Sequence, residues 1–256
     1  MTEPRPNEPA DAPGPTPATK DRILDAAESL FAEQGFAAAS LRAIIARAEV
    51  NLAAIHYHFR NKESLIQAVL ERRFAPVNAE RLRLLSDCES RWGGGKPEVE
   101  PLLEAFLGPM LRAGMRSTSS RPQILQLAGR LLTEVGGLAE TAAIRQFREV
   151  AQRFVGAFRR ALPHLSIEEV AWRVNFTIGA AAKAVIGGVP LKLLLSQAPE
   201  GQMPQAPDVD WVLHELVSFA AAGLRAEPVR LRRKGGRAVP DRGRSGAVRM
   251  RQRSQK

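Results

Sequence analysis

The stretch NLAAIHYHFRNKESL, residues 51–65, gathers two of the chain's four histidines, its single tyrosine and two adjacent alanines. Two chemistries compete for such a set: metal binding through His56 and His58, or contact with another surface. On a helix that turns about 100° per residue, Leu52, Ile55 and Phe59 define a buried side. Ala53, Ala54 and Tyr57 then fall opposite, with His56 and His58 on the two flanks, about 160° apart. Helical zinc pairs sit at i, i+4 on one face, and no Cys or carboxylate is spaced to complete this one. No metal and no cofactor is expected. The outer face suits a polymer better: alanines let a backbone come close to a groove and their methyls can meet thymine methyls. Tyr57, the histidines, Arg60 and Lys62 suit phosphate, and a helix starting after Asn61 aims its positive end at an anion.

Other reactive groupings are incomplete. WGGGKPE (92–98) lacks the spacing of a phosphate-binding loop, and Pro97 stands where a hydroxyl residue is needed. His164 and His214 have no paired acid or nucleophile nearby in sequence, and Cys88 has no evident activating partner. No catalytic residue emerges, so the chain is not expected to be an enzyme.

The elements that must position the 51–65 surface read as helices. Ile23, Leu24, Ala27, Leu30 and Phe31 form one apolar stripe, with Asp21 and Asp25 in its first turn and Gly35 as a left-handed stop. Ser40 is a good N-cap for a short helix with Leu41, Ile44, Ile45 and Ala48 inward. Asn51 can cap the next, and Asn61 a long fourth helix with Leu65, Val69, Leu82 and Leu85 inward and a kink expected near Pro76. Further helices are predicted at roughly 98–115, 121–136, 139–161, 166–187 and 208–225, with a Pro/Gln loop at 196–208. The fold class is all-α, with about nine helices. Ser40 to Phe59 has the length of a helix-turn-helix.

One segment, ILDAAESLFAEQGFAAASLRAIIARAEVNLAAIHYHFRNKESLIQAVL, resembles the N-terminal DNA-binding domain of TetR-family transcriptional regulators. The resemblance implies an all-helical dimer with a three-helix DNA-binding domain and a ligand-responsive C-terminal bundle. It implies that Ser40 and Arg42 touch phosphate and that Lys62 anchors another. It also implies that Asn51, Ala53, Ala54, His56, Tyr57 and His58 face the groove of a palindromic operator. Glu49 departs from the family's usual Gly in the turn; a positive φ there costs about 1 kcal/mol. NLAAIHYHF, RRFAPVNAERLRLL and WRVNFTIGAAA are similar to a PsrA-like subgroup, which implies a lipid-like effector, a fatty acid or acyl-CoA.

Behind this domain, Phe106, Met110, Leu127, Leu131, Phe147 and Phe154, joined by Phe176, are candidates to line an apolar ligand cavity. Arg130, Arg145 and Arg173 are candidates for a ligand's head group. The last two helices are apolar nearly all round, so they must bury more than one face. Trp172, Ala180, Trp211, Leu216 and Phe219 are the expected homodimer interface, holding two recognition helices about 34–36 Å apart.

The chain divides accordingly into an N-terminal tail (1–18), a helix-turn-helix domain (19–65), a ligand and dimerisation domain (66–225) and a basic tail (226–256). The net charge of +10 is concentrated at the end: residues 226–256 hold eleven Lys or Arg against Glu227 and Asp241. Both tails read as disordered. Without a secretory h-region or an apolar span of about 18 residues, no membrane partner is expected. A lone Cys88 fits a reducing cytoplasm. The sequence thus favours a ligand-responsive, sequence-specific regulator, most simply a repressor. A non-specific nucleic-acid binder driven by the tail, and a carrier or enzyme using the cavity, are the rivals.

Overall fold

A computed structural model describes residues 17–115, 123–134, 136–186 and 208–228. The chain divides at Ala226 into one compact unit before it and a segment from Glu227 to Lys256 after it. The described residues contain nine helices and no strand: α1 Pro17–Gln34, α2 Leu41–Ala48, α3 Leu52–Phe59, α4 Lys62–Trp92, α5 Val99–Met115, α6 Gln123–Thr133, α7 Gly137–Ala161, α8 Ile167–Ile186 and α9 Val209–Arg225. The protein is all-α. Most of the 196–208 loop and of both tails lies outside the described residues.

Short polar side chains set the starts of the first elements. Ser40 Oγ accepts the Ala43 N–H at 3.1 Å, Asn51 Oδ1 that of Ala54 at 2.9 Å, and Asn61 Oδ1 that of Ser64 at 2.8 Å. Each satisfies one of the donors a helix start leaves open. The first helix begins earlier than Thr19: Pro17 and Ala18 are already helical and Thr19 is buried. A proline, with its fixed φ and no N–H to leave orphaned, suits that first position.

Among the described residues two non-glycines hold positive φ, and they bracket α3. Glu49 ends α2 at φ 52°, ψ 48°. Arg60 lies at φ 61°, ψ −51°, and the Asn61 N–H donates to the Phe59 carbonyl across it at 2.6 Å. That is a γ-turn of the strained hand, which lets α4 start almost without a linker.

The long α4 passes unbroken through Pro76, whose missing N–H leaves the Arg72 carbonyl without its helical donor. It serves two cores. Its first turns (Leu65, Ile66, Val69, Leu70, Phe74) pack with α1–α3, Leu127 of α6, and Ala139 and Ala142 of α7. Its later turns (Leu85, Cys88) join α5, α7, α8 and α9. Glu28, fully buried on α1, ties the helix down through Arg72, at 2.6 Å, and Arg73. A buried carboxylate is tolerable only with such partners.

Candidate functional site

The outer surface of α3 is built from the two caps and the two strained turns described above. Asn51, Ala53, His56 and Tyr57 are exposed, Tyr57 at 70%, beside exposed Ser40 and Arg42 at the start of α2. Leu52 corrects the helical-wheel expectation: it is 53% exposed, while Ile55 and Phe59 are buried. As the first residue of an eight-residue helix, its side chain leans back past the helix start, beyond the reach of the core. Ala54 is half-buried against that core. His58 is also turned inward: its Nε2 is enclosed, and its ring lies between those of Tyr57 and Phe59, with centroids 5.0 and 6.1 Å away. His56 donates from Nδ1 to the Arg60 carbonyl at 2.9 Å, steadying the γ-turn. The groups presented outward are therefore Leu52, Ala53, His56 and Tyr57.

Lys62 does not reach freely outward. Its ammonium donates to the Ala37 carbonyl at 3.0 Å, and partial burial pulls its pKa below the usual lysine range, opposed by the nearby charge of Glu134. Glu134 follows the last turn of α6 and grips the turn between α1 and α2. Its carboxylate accepts the Phe36 N–H at 3.0 Å and the Ala37 N–H at 3.2 Å. Arg130, one turn back, donates to the carbonyls of Ala32 and Glu33 at 3.3 and 2.5 Å. Two opposite charges, one in the last turns of α6 and one just after it, thus satisfy donors and acceptors that the α1 C-terminus and the following turn leave open. Gly35 makes room: its φ is +91°, and a Cβ there would stand 2.2 Å from Glu134 Oε1. Nothing local in the sequence announces this grip, since the partners are 97 or 98 residues apart.

The same helix forms one wall of a cavity of about 270 Å³. Leu125, Ala128, Gly129, Leu131 and Leu132 of α6 face Phe74 of α4, Phe106 and Met110 of α5, Phe147, Val150 and Phe154 of α7, and Val174 and Ile178 of α8. Five of the expected lining residues meet there: Phe106, Met110, Leu131, Phe147 and Phe154. Leu127 does not; it points the other way on α6 into the N-terminal core. Phe176 does not either, being 64% exposed on the outer side of α8. The expected head-group arginines are also elsewhere. Arg130 holds α1, Arg145 lies 3.6 Å from Glu63, and Arg173 caps the end of α9 through the carbonyls of Gly223, Leu224 and Ala226.

One charged side chain does line the cavity, and the sequence reading passed over it: Arg81 of α4. Its signal was available. Phe74, Val77, Asn78, Leu85 and Cys88 are the buried stripe of α4, and Arg81 falls in their register.

On the far side, α8 and α9 expose Ile167, Trp172 and Phe176, and Trp211 and Phe219, with the Trp172 and Phe176 rings 5.7 Å apart. Large aromatics outside a well-packed body mark an interaction surface. Of the expected interface, Leu216 is instead buried in the protomer's own core and Ala180 is half-buried against it. Both sit on the inner stripes of their helices, a distinction that all-round apolarity hid. No helix among the described residues is long and apolar enough to cross a membrane, and they hold no His, Cys, Asp and Glu grouping that could bind a metal.

The sequence has known counterparts. Residues 23–69 match the bacterial regulatory proteins of the tetR family, and residues 104–223 match the tetracyclin repressor-like C-terminal domain. The chain belongs to the TetR family of transcriptional regulators. It is 42% identical over 52 residues to the HTH-type transcriptional regulator UidR of Escherichia coli (strain K12), covering 20% of this chain and 26% of that one. It is 51% identical over 49 residues to an HTH-type transcriptional repressor of Mycobacterium tuberculosis, covering 19% and 26%. The chain thus spans about a quarter of the length of these curated relatives. Among solved structures, SmeT, the repressor of the Stenotrophomonas maltophilia multidrug efflux pump SmeDEF, superposes with a TM-score of 0.52 at 22% identity, covering 80% of this chain and 91% of that one. That likeness bears on the fold.

Proposed function

We propose that this protein is a homodimeric, sequence-specific DNA-binding repressor, released from a palindromic operator when a small apolar molecule enters the cavity. The observation that carries the reading is the double duty of α6. One face of that helix lines the cavity and its C-terminal end holds the turn that orients α2 and α3. A ligand that moves α6 therefore acts on the recognition surface without touching it, provided it binds one arrangement better than the other. The coupling required is about 1–3 kcal/mol.

Ala53, His56 and Tyr57, with Leu52, are the groups that enter the major groove; Ser40, Arg42 and the positive start of α4 meet phosphate. Lys62 acts there mainly by bracing Ala37. The exposed aromatics of α8 and α9 form the two-fold interface, which sets the separation of the two α3 helices at about one turn of DNA. Similarity to the PsrA-like subgroup favours a lipid-like effector, and the apolar wall of the cavity is compatible with one. No part of this reading asks for catalysis.

The test is selection from random duplex DNA at physiological salt, followed by sequencing of what the protein retains. An enriched palindrome with half-sites about one turn apart is the expected result. Retention of all sequences alike would replace this reading with that of a non-specific binder.

A further inference from the structure

Among the described residues the cavity wall is apolar except at Arg81, which is half-buried there. It lies among Phe106, Met110, Phe147 and Phe154, on the buried stripe of α4. Its Nε donates to the Phe106 carbonyl at 2.8 Å and its Nη1 to Asn78 Oδ1 at 3.2 Å. The Asn78 amide in turn donates to the Gln146 carbonyl at 3.1 Å. The guanidinium also lies over the Phe106 ring, 5.0 Å from its centroid. All of these partners are neutral. Among the described residues no carboxylate pairs with Arg81, and no other charged residue lines the cavity.

A guanidinium carries five N–H donors in a planar fork. Two neutral acceptors and a ring face leave part of that fork, and the charge, without a counter-ion in a half-buried setting. Burial alone lowers its pKa to about 10. Several other arginines that pack onto the body meet carboxylates: Arg72 and Arg73 meet Glu28, Arg153 and Arg160 meet Glu89, and Arg225 meets Glu100. Arg130 and Arg173 bond carbonyls, as Arg81 does, but at the C-terminal ends of α1 and α9, where the helix dipole is negative. As a simple tie between α4 and α5, a neutral glutamine would offer hydrogen bonds without the half-buried charge. An arginine held in place by Asn78 and Phe106, and facing an apolar hollow, is suited to receive an anion in bidentate fashion.

We propose that Arg81 reads the head group of the cavity's ligand, so that the site takes an apolar molecule bearing a free carboxylate in preference to the corresponding ester or thioester. This rests on the cavity being the ligand site and narrows the class of ligand. A neutral apolar molecule of the same shape fills the hollow but leaves the guanidinium without a counter-ion. A thioester carries no charge at the acyl carbon, so the acid and its activated derivative are distinguished at one atom group.

The test is calorimetric titration of the full chain, at neutral pH, with decanoic acid and with methyl decanoate. The acid is expected to bind about ten- to a hundredfold tighter, the range of a charge-assisted hydrogen-bonded pair. Arg81→Gln should bring the acid down to the ester's affinity and leave the ester unchanged; Arg81→Lys, which keeps the charge and loses the fork, should fall between. Equal binding of acid and ester by the wild-type protein overturns the proposal, and that comparison needs no variant to fold. So does binding of neither probe, or a preference for the acid that survives in a folded Arg81→Gln protein. Adding each probe to the operator complex separates this inference from the repressor reading. An Arg81-dependent acid that leaves the complex intact supports the head-group site and defeats only the release mechanism.

Discussion

At the recognition end, the groups that fix the structure are neighbours in sequence. Ser40, Asn51 and Asn61 each bond an amide three residues on, and His56 bonds the carbonyl four residues on. Around the cavity the wall runs from Phe74 to Ala182 and comes from five helices, and its one charge is braced by atoms on α4 and α5. The first region is specified locally and the second by tertiary packing. What joins them is neither kind of feature alone: α6 belongs to the cavity by its apolar face and to the hairpin by Arg130 and Glu134. The difference teaches where a signal can pass, because a locally specified unit follows the long-range attachments that hold it, and α6 carries several of them.

The sharpest way to break one such attachment is Gly35→Ala. The φ of +91° disfavours any side chain, and the new Cβ would occupy the space of Glu134 Oε1. Displacing the carboxylate leaves the Phe36 and Ala37 amides unsatisfied, so the combined loss should reach about 2–4 kcal/mol in urea unfolding. Glu134→Ala alone should cost about 1–3 kcal/mol. If both changes act through the one grip, the double variant should cost clearly less than their sum. Strict additivity would show that the grip is not what Gly35 serves. Hydrogen exchange gives a second check: the Phe36 and Ala37 amides should lose protection in Glu134→Ala while those of α9 keep theirs.

Next in size are changes to the outer face of α3, where Ala53 is exposed and Tyr57 is 70% exposed, meeting the His58 ring edge-on. Ala53→Glu and Tyr57→Ala should each weaken binding to selected operator DNA by about 1–3 kcal/mol, or roughly fivefold to more than a hundredfold, with unfolding midpoints nearly unchanged. Normal operator affinity in folded Ala53→Glu protein would remove α3 from the groove. Much of this end was legible beforehand because caps and helical stripes are local signals. The three N-caps were named from the sequence, whereas Glu49 stood out only through the family resemblance, as a place where a positive φ would be costly. Leu52 was misplaced because a helical wheel records angle but not position along the axis. At the cavity end, helix bounds and five wall residues were legible. Leu127 and Phe176 were not, since an apolar residue on a helix between two cores can face either one. Arg81 could have been read, as a charge lying on an apolar stripe. The Glu134 grip could not, as nothing in a sequence ties two segments nearly a hundred residues apart.

Smaller again are the two strained turns beside α3. Glu49 occupies the left-handed region without the freedom of glycine, so Glu49→Gly should stabilise the fold by about 1 kcal/mol in urea titration. The same substitution removes a negative charge next to the α3 start, so DNA affinity should rise along with stability. Arg60→Gly relieves strain of similar size but removes an exposed cation at the end of α3. Its stability gain should therefore come with weaker binding. A loss of stability in either variant would mean that the side chain, and not the backbone, holds the turn.

The smallest effect on the folded body should come from truncation after Pro228, which removes eleven Lys and Arg along with Asp241. The cut leaves the α9 cap in place, since Arg173 bonds the Ala226 carbonyl and nothing beyond it is needed there. Unfolding midpoints should not change. If the tail follows the phosphate backbone, its loss should flatten the dependence of log affinity on log salt by about 0.9 for each phosphate contact given up. The order of preference among DNA sequences should stay the same if α3 reads the bases as proposed, because phosphate contacts are alike at every site. An unchanged salt slope would leave α3, the caps beside it and the start of α4 as the whole of the DNA-binding surface. A changed sequence preference would instead place part of the readout in the tail, and locally specified recognition would no longer end at Phe59.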